Sequence, residues 1–181
     1  MRRILLALTL LVAGCESPAA FSGKSAERPV VNVPAALRQS NWVGPGGEGS
    51  CVHATMISLL RWQGRAKTAD CWRRANAGGE WPADLAAKFD SIGIRYAYVE
   101  NGDVRFLEWA CRTRRGCGIT VLGGGHMVAL VHLDDQWAAI LDNNDVSAFR
   151  WVPRVSLIAE WKASHGWAVT PIYSPAAPLP R

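Results

Sequence analysis

Gly49-Ser50-Cys51-Val52-His53-Ala54-Thr55-Met56-Ile57-Ser58-Leu59-Leu60 is the stretch from which the rest of the chain is read. A glycine-rich approach, Gly44 to Gly49, ends in a cysteine, and an apolar run at helical spacing (Val52, Met56, Leu59, Leu60) follows it. The spacing predicts a helix that starts at the cysteine. A thiol there meets unpaired backbone N–H groups and the positive end of the macrodipole, both of which favour the thiolate. Cys51 is thus a candidate nucleophile. The competing reading is a buried structural cysteine, since free cysteine is among the most buried residue types.

Working outward, Ala35 to Val43 includes a short helical turn, and the central helix runs from Cys51 to Gln63 with Gly64 as its stop. Thr68 caps a second helix over Ala69 to Ala77, and Pro82 suits the first turn of a third that ends at Ser91. Ile94 to Val99 alternates and reads as a strand. Asn101 or Asp103 caps a fourth helix, Val104 to Arg115, and Gly118 to Leu122 is a short buried strand. After Gly123-Gly124-Gly125 come two apolar runs, from His126 to Leu133 and from Trp137 to Leu141, around an Asp134-Asp135-Gln136 turn. This is a hairpin signature. A strand (Phe149 to Val152), a helix (Val155 to Ala163) and a last strand (Trp167 to Tyr173) close the order. Helices first and a mostly antiparallel sheet afterwards give an α+β class, with the N-terminal helices packed on the sheet. A proline-rich tail occupies residues 174–181.

The chain has 181 residues, formal net charge +5, 49% apolar and 19% charged residues, which is a globular composition. Basic residues are scattered apart from Arg112, Arg114 and Arg115 near a helix end, so no nucleic-acid partner is expected. The nine tryptophans read mainly as core and rim packing, with a substrate groove as the other use. Met1-Arg2-Arg3, a short apolar run and Leu11-Val12-Ala13-Gly14-Cys15 have the parts of a secretory signal. The cysteine directly after Ala-Gly resembles a bacterial lipobox. That resemblance implies a signal peptide over residues 1–14, lipidation at Cys15 and a tether over 15–34. With Glu16 after the cysteine, it implies an outer-membrane lipoprotein facing the periplasm.

A catalytic thiol needs a base, and the base needs an orienting group. His53 shares the helix of Cys51 but points to another face, His165 falls in a late loop, and His132 lies at the turn end of its strand. His126 opens a strand directly after three glycines and is the best candidate. A two-residue hairpin loop sets it opposite Asn143, and a three-residue loop opposite Asn144. Twist or a bulge brings Asp142 into range. Any of the three can accept an Nδ1–H bond from the ring. Asp142 to Asp145 also reads simply as a polar turn.

Gly-Ser-Cys before a helix, His126 opening an apolar strand and Asp142 sixteen positions on together resemble the papain-like cysteine peptidases. The closest subgroup is the compact bacterial domains that cut leader peptides after a double glycine. The resemblance covers about residues 38–173. It implies a papain-like fold over 35–173, with Cys51 as nucleophile, His126 as base and Asp142 as orienting group. Asn143 takes that role if the register follows papain proper. It implies a peptide or protein substrate and no cofactor. Two departures stand out. The 75-residue interval from Cys51 to His126 is short for papain itself. Pro45, six positions before Cys51, also stands where the family carries its oxyanion-hole glutamine. Gln39 and Asn41, further upstream, are the candidate donors in its place.

The expected function is therefore thiol-dependent hydrolysis of peptide or isopeptide bonds, with cell-wall peptides as one option. The alternatives are an acyl transferase of transglutaminase or amidase type, and an inactive papain-like module that binds peptide or protein. Cys111 and Cys117 are placed to form a disulfide in an oxidising compartment, and Cys71 is expected to be buried. No Cys/His pattern has zinc spacing, so no metal is expected. Oligomeric state is not legible from these residues.

Overall fold

The computed structural model describes residues 28–174. The expected signal segment, Cys15 and most of the tail lie outside the described residues. A 3-10 turn (Ala35–Leu37) precedes α1 (Cys51–Trp62), α2 (Ala66–Ala75), α3 (Pro82–Ser91), β1 (Tyr96–Val99) and α4 (Val104–Arg112). A strand β2 (Cys117–Val121), the hairpin strands β3 (His126–Leu133) and β4 (Trp137–Asp142), β5 (Asp145–Pro153), α5 (Arg154–Ala163) and β6 (Ala168–Pro171) follow. The strands form one six-stranded sheet in the order β1-β6-β2-β3-β4-β5, every pairing antiparallel. The α+β class is the one read from the sequence.

Side chains of β3 alternate between two cores, as a strand covered on both faces must. Met127, Ala129 and Val131 join the apolar faces of α1, α2 and α3, and Val128 and Leu130 join those of α4 and α5. The N-terminal helices do pack on the sheet, and the later helices cover its other face. At Gly118 the approach of α1 is tightest: a Cβ there would meet Met56 Cε at 2.7 Å and Thr55 Cγ2 at 3.1 Å. Glycine in this strand is thus a packing requirement of α1.

Several boundaries differ from the sequence reading, among them β5, which begins at Asp145 rather than Phe149. The second helix starts at Ala66, ahead of Thr68, and no side chain caps it. The fourth ends at Arg112, with Asp103 as the capping residue, whose Oδ1 accepts from Arg105 N at 3.0 Å. The expected tether also packs at its end. Val33 is buried in the first core, and Arg38 Nε donates to its carbonyl at 2.9 Å. Cys111 and Cys117 are buried free thiols and Cys71 is exposed, so neither the disulfide nor the buried Cys71 is found.

Of the two registers weighed from the sequence, the β3–β4 hairpin takes the one that follows from a three-residue loop, and only past an irregularity; the register that set His126 opposite Asn143 is not found. At the turn Leu133 faces Ala138; past an irregularity between Leu130 and His132, Ala129 faces Leu141. The one-residue shift is a bulge, which re-aims every later side chain. Continued to its end, the second register sets His126 opposite Asn144 and leaves Asp142 as a diagonal neighbour on the same face.

Candidate active site

Cys51, the first residue of α1, is half-buried at the mouth of a cleft of about 340 Å³. The first amides of a helix have no partner within it. One of them, Val52 N–H, and the amide of Met127 on β3 both point at the Cys51 sulfur. His126, 8% exposed, hydrogen-bonds the same thiol. Burial alone pushes the thiol pKa up. The His126 hydrogen bond, the two amides and the histidine's charge outweigh it, and the thiol titrates below a free cysteine.

His126 carries the complementary shift. Its pKa is raised chiefly by the Cys51 hydrogen bond, against the cost of burial, with Asp142 adding to the rise. His126 Nε2 donates to Asp142 Oδ1 at 3.0 Å. The expectation of an Nδ1–H bond to the orienting group is corrected, because Nε2 makes that contact and leaves Nδ1 for the thiol. Burial raises the Asp142 pKa, but His126, the Asn144 amide (Asn144 N to Asp142 Oδ1, 3.0 Å) and the charge of Arg150 carry it below the usual carboxylate value. Cysteine, imidazole and carboxylate thus form a hydrogen-bonded chain, each shifted toward its charged form.

The ring is delivered by a strained turn. Leu122, Gly123 and Gly124 all have positive φ, and the Leu122 and Gly123 amides are pinned to Glu160 Oε1 (2.7 Å) and Ser164 Oγ (3.0 Å). Leucine in that conformation is costly and persists only where surroundings enforce it.

Asn143 does not orient the histidine. It is 3% exposed, and its Nδ2 lies 3.2 Å from Cys51 O, 3.0 Å from Thr55 Oγ1 and 2.7 Å from Met127 O. One amide therefore ties the β4–β5 turn to the start of α1 and to the residue after His126. Neither candidate oxyanion donor lines the cleft. Gln39 Nε2 donates to Ser40 O, and its Oε1 accepts from Arg61. Asn41 Nδ2 donates to Asn144 Oδ1 at 3.0 Å, while its Oδ1 accepts from Ser50 Oγ (2.8 Å) and Trp42 N (2.9 Å). Asn41 thus braces Ser50, the residue before Cys51, against Asn144 beside His126. The donor closest to hand for an oxyanion is the α1 N-terminus itself.

Sequence reasoning missed the cleft walls. These include Glu48 on the loop before α1, and Gly79, Glu80 and Trp81 on the loop between α2 and α3. The signal was present in Gly78-Gly79, a pair that marks close approach of backbone as well as a helix stop. Among the described residues no group of His, Cys, Asp and Glu side chains is arranged to hold a metal, and no helix is long and apolar enough to cross a membrane. No protein-family model matches this chain, and neither the curated proteins nor the solved structures yield a match.

Proposed function

We propose that the chain is a papain-like thiol hydrolase acting on peptide or isopeptide bonds. The observation that carries this reading is the Cys51–His126–Asp142 chain of hydrogen bonds at a helix N-terminus, opening on a cleft. A structural cysteine would need none of these partners. The Cys51 thiolate attacks the substrate carbonyl carbon, and the α1 amides receive the negative oxygen. His126 then gives its Nδ1 proton to the leaving amine and a thioester forms. Water, deprotonated by the same nitrogen, attacks the thioester carbonyl and returns the thiol. Asp142 holds the ring with Nε2–H outward, so that Nδ1 faces the sulfur throughout.

The test is the rate of Cys51 alkylation by iodoacetamide against pH, with His126→Ala beside it. A depressed thiol pKa that rises in the variant is expected. An ordinary thiol pKa, unchanged in the variant, ends the hydrolase reading and leaves a peptide-binding module. From residues 1–16 alone we infer in addition an outer-membrane lipoprotein. The mass of the membrane-extracted protein tests it, and an unmodified Cys15 overturns it.

A further inference from the structure

Glu48 lies three residues before the nucleophile and forms part of the same cleft wall. Its side chain occupies a hollow that four glycines clear for it. A Cβ would come within 2.6 Å of it at Gly44, 2.5 Å at Gly46 and 2.8 Å at Gly79, and closer still at Gly78. Real Cβ atoms do not approach so closely, so the position of this carboxylate depends on glycine at each site. The carboxylate so placed makes no hydrogen bond and no ion pair with any described residue.

The other acid of the cleft, Glu80, is paired with Lys88 and is neutralised locally. No lysine or arginine lines the cleft. Trp81, also on its wall, is 71% exposed, and an exposed indole face attracts cations. A chain of net charge +5 thus presents, beside its reactive thiol, one uncompensated negative charge and one open aromatic face. A carboxylate left without a countercharge on the wall of a cleft attracts a cationic ligand. It makes chemical sense where the substrate brings the countercharge.

Resting on the hydrolase reading of this cleft, we propose that Glu48, with Trp81, selects substrates bearing a cationic nitrogen close to the scissile bond. The group is an ammonium or guanidinium on a side chain or at the peptide N-terminus.

The experiment reads the field at Cys51 without needing the natural substrate. The full chain is alkylated separately with 2-bromoethylammonium, iodoacetamide and iodoacetate at low ionic strength, and modification of the Cys51 peptide is followed by mass spectrometry so that exposed Cys71 does not interfere. For Glu48→Gln the ratio of cationic to anionic reagent rates is expected to fall on the order of tenfold relative to wild type, and 0.5 M salt to shrink that difference. Asp70→Asn, which removes an exposed charge on α2 away from the cleft, leaves the ratio unchanged. Two aldehydes then separate the sources of the cation: acetyl-glycyl-lysinal carries its ammonium on the side chain, and uncapped glycyl-glycinal carries it at the N-terminus. The one whose protection of Cys51 weakens in Glu48→Gln identifies the group. A charge ratio unmoved by Glu48→Gln overturns the proposal, as does equal protection of both proteins by both aldehydes. Failure of the hydrolase reading shows separately, as a thiol pKa insensitive to His126→Ala.

Discussion

Two buried histidines flank the start of α1, and their chemistry runs in opposite directions. His126 hydrogen-bonds an acid on either side, Cys51 and Asp142, and its pKa rises. His53, 1% exposed and two residues after the nucleophile, has no acid beside it. Its Nδ1 accepts from Trp72 Nε1 at 3.1 Å and its ring stacks on Trp42. Burial, with a smaller contribution from Lys88, pushes its pKa down to about 4. Burial alone does not set the charge of an imidazole. At His126 the acid partners outweigh burial, and at His53, where the ring's partner is an indole N–H, burial keeps the ring neutral. One histidine is the base of the proposed mechanism, and the other is part of the core.

The comparison breaks most sharply at the thiol pair. Cys51→Ala and His126→Ala are each expected to lower kcat/KM on any cleaved peptide by 1,000-fold or more, as for other nucleophile–base pairs, while His53→Gln acts mainly on stability. Loss of activity in His53→Gln at full stability would contradict the division. Asp142→Asn is expected to be milder than His126→Ala and to shift the alkaline limb of the rate profile downward. That limb reports deprotonation of His126, whose pKa Asp142 helps to raise.

Next in size is the acid stability of the fold. His53 titrates at about 4 folded and near 6.5 unfolded, so its stabilising contribution is complete above pH 6.5 and is lost as pH falls toward 4. The loss across that window amounts to about 3 kcal/mol, read by urea denaturation at pH 7 and 4.5. His53→Gln should flatten the dependence. An unchanged slope would mean that other groups govern it.

Asn143→Ala is expected to cost about 1–3 kcal/mol, because it strands buried acceptors that its amide now serves. It should lower kcat more than it raises KM, since it loosens the alignment of Cys51 with the His126 strand. The smallest effect separates the thiols themselves: a maleimide should label Cys51 and exposed Cys71 in the native protein, and Cys111 and Cys117 only on unfolding. Burial raises both Cys111 and Cys117 well above a free thiol. Labelling of Cys111 in native buffer would overturn that assignment.

Much of this site is legible before any coordinates. The helix that starts at Cys51 follows from apolar spacing after a glycine loop, and the hairpin that brings Asp142 near His126 follows from two apolar runs and a turn. What was not legible depends on choices a pattern does not carry. The bulge after Leu130 decides that Asp142 reaches the ring and Asn143 turns inward. A bulge costs one residue of register and leaves no mark in the alternation of buried types. Gln39 and Asn41 have the right chemistry for oxyanion donors, yet irregular backbone sends their amides to Ser40 and Asn144. Their distance from Cys51 in sequence says nothing of where an irregular segment points them. The extended start of the domain was hidden because Val33 sits among prolines and small residues, and one buried valine gives no period. Ala66 begins its helix without a side-chain cap, and Thr68, the capping residue type nearest to it, marks a start that lies inside the helix.

The clamp made by Asn143 joins residues 92 positions apart, and His126 meets Asp142 only across a completed hairpin. Contacts of such separation form late, because long loops must close before they are rewarded. An unfolded or threading chain therefore carries Cys51 as an ordinary, sluggish thiol. Reactivity arrives with the sheet, so a chain waiting on a chaperone is chemically quiet, and the alkylation rate of this one sulfur is a clock for the completion of folding.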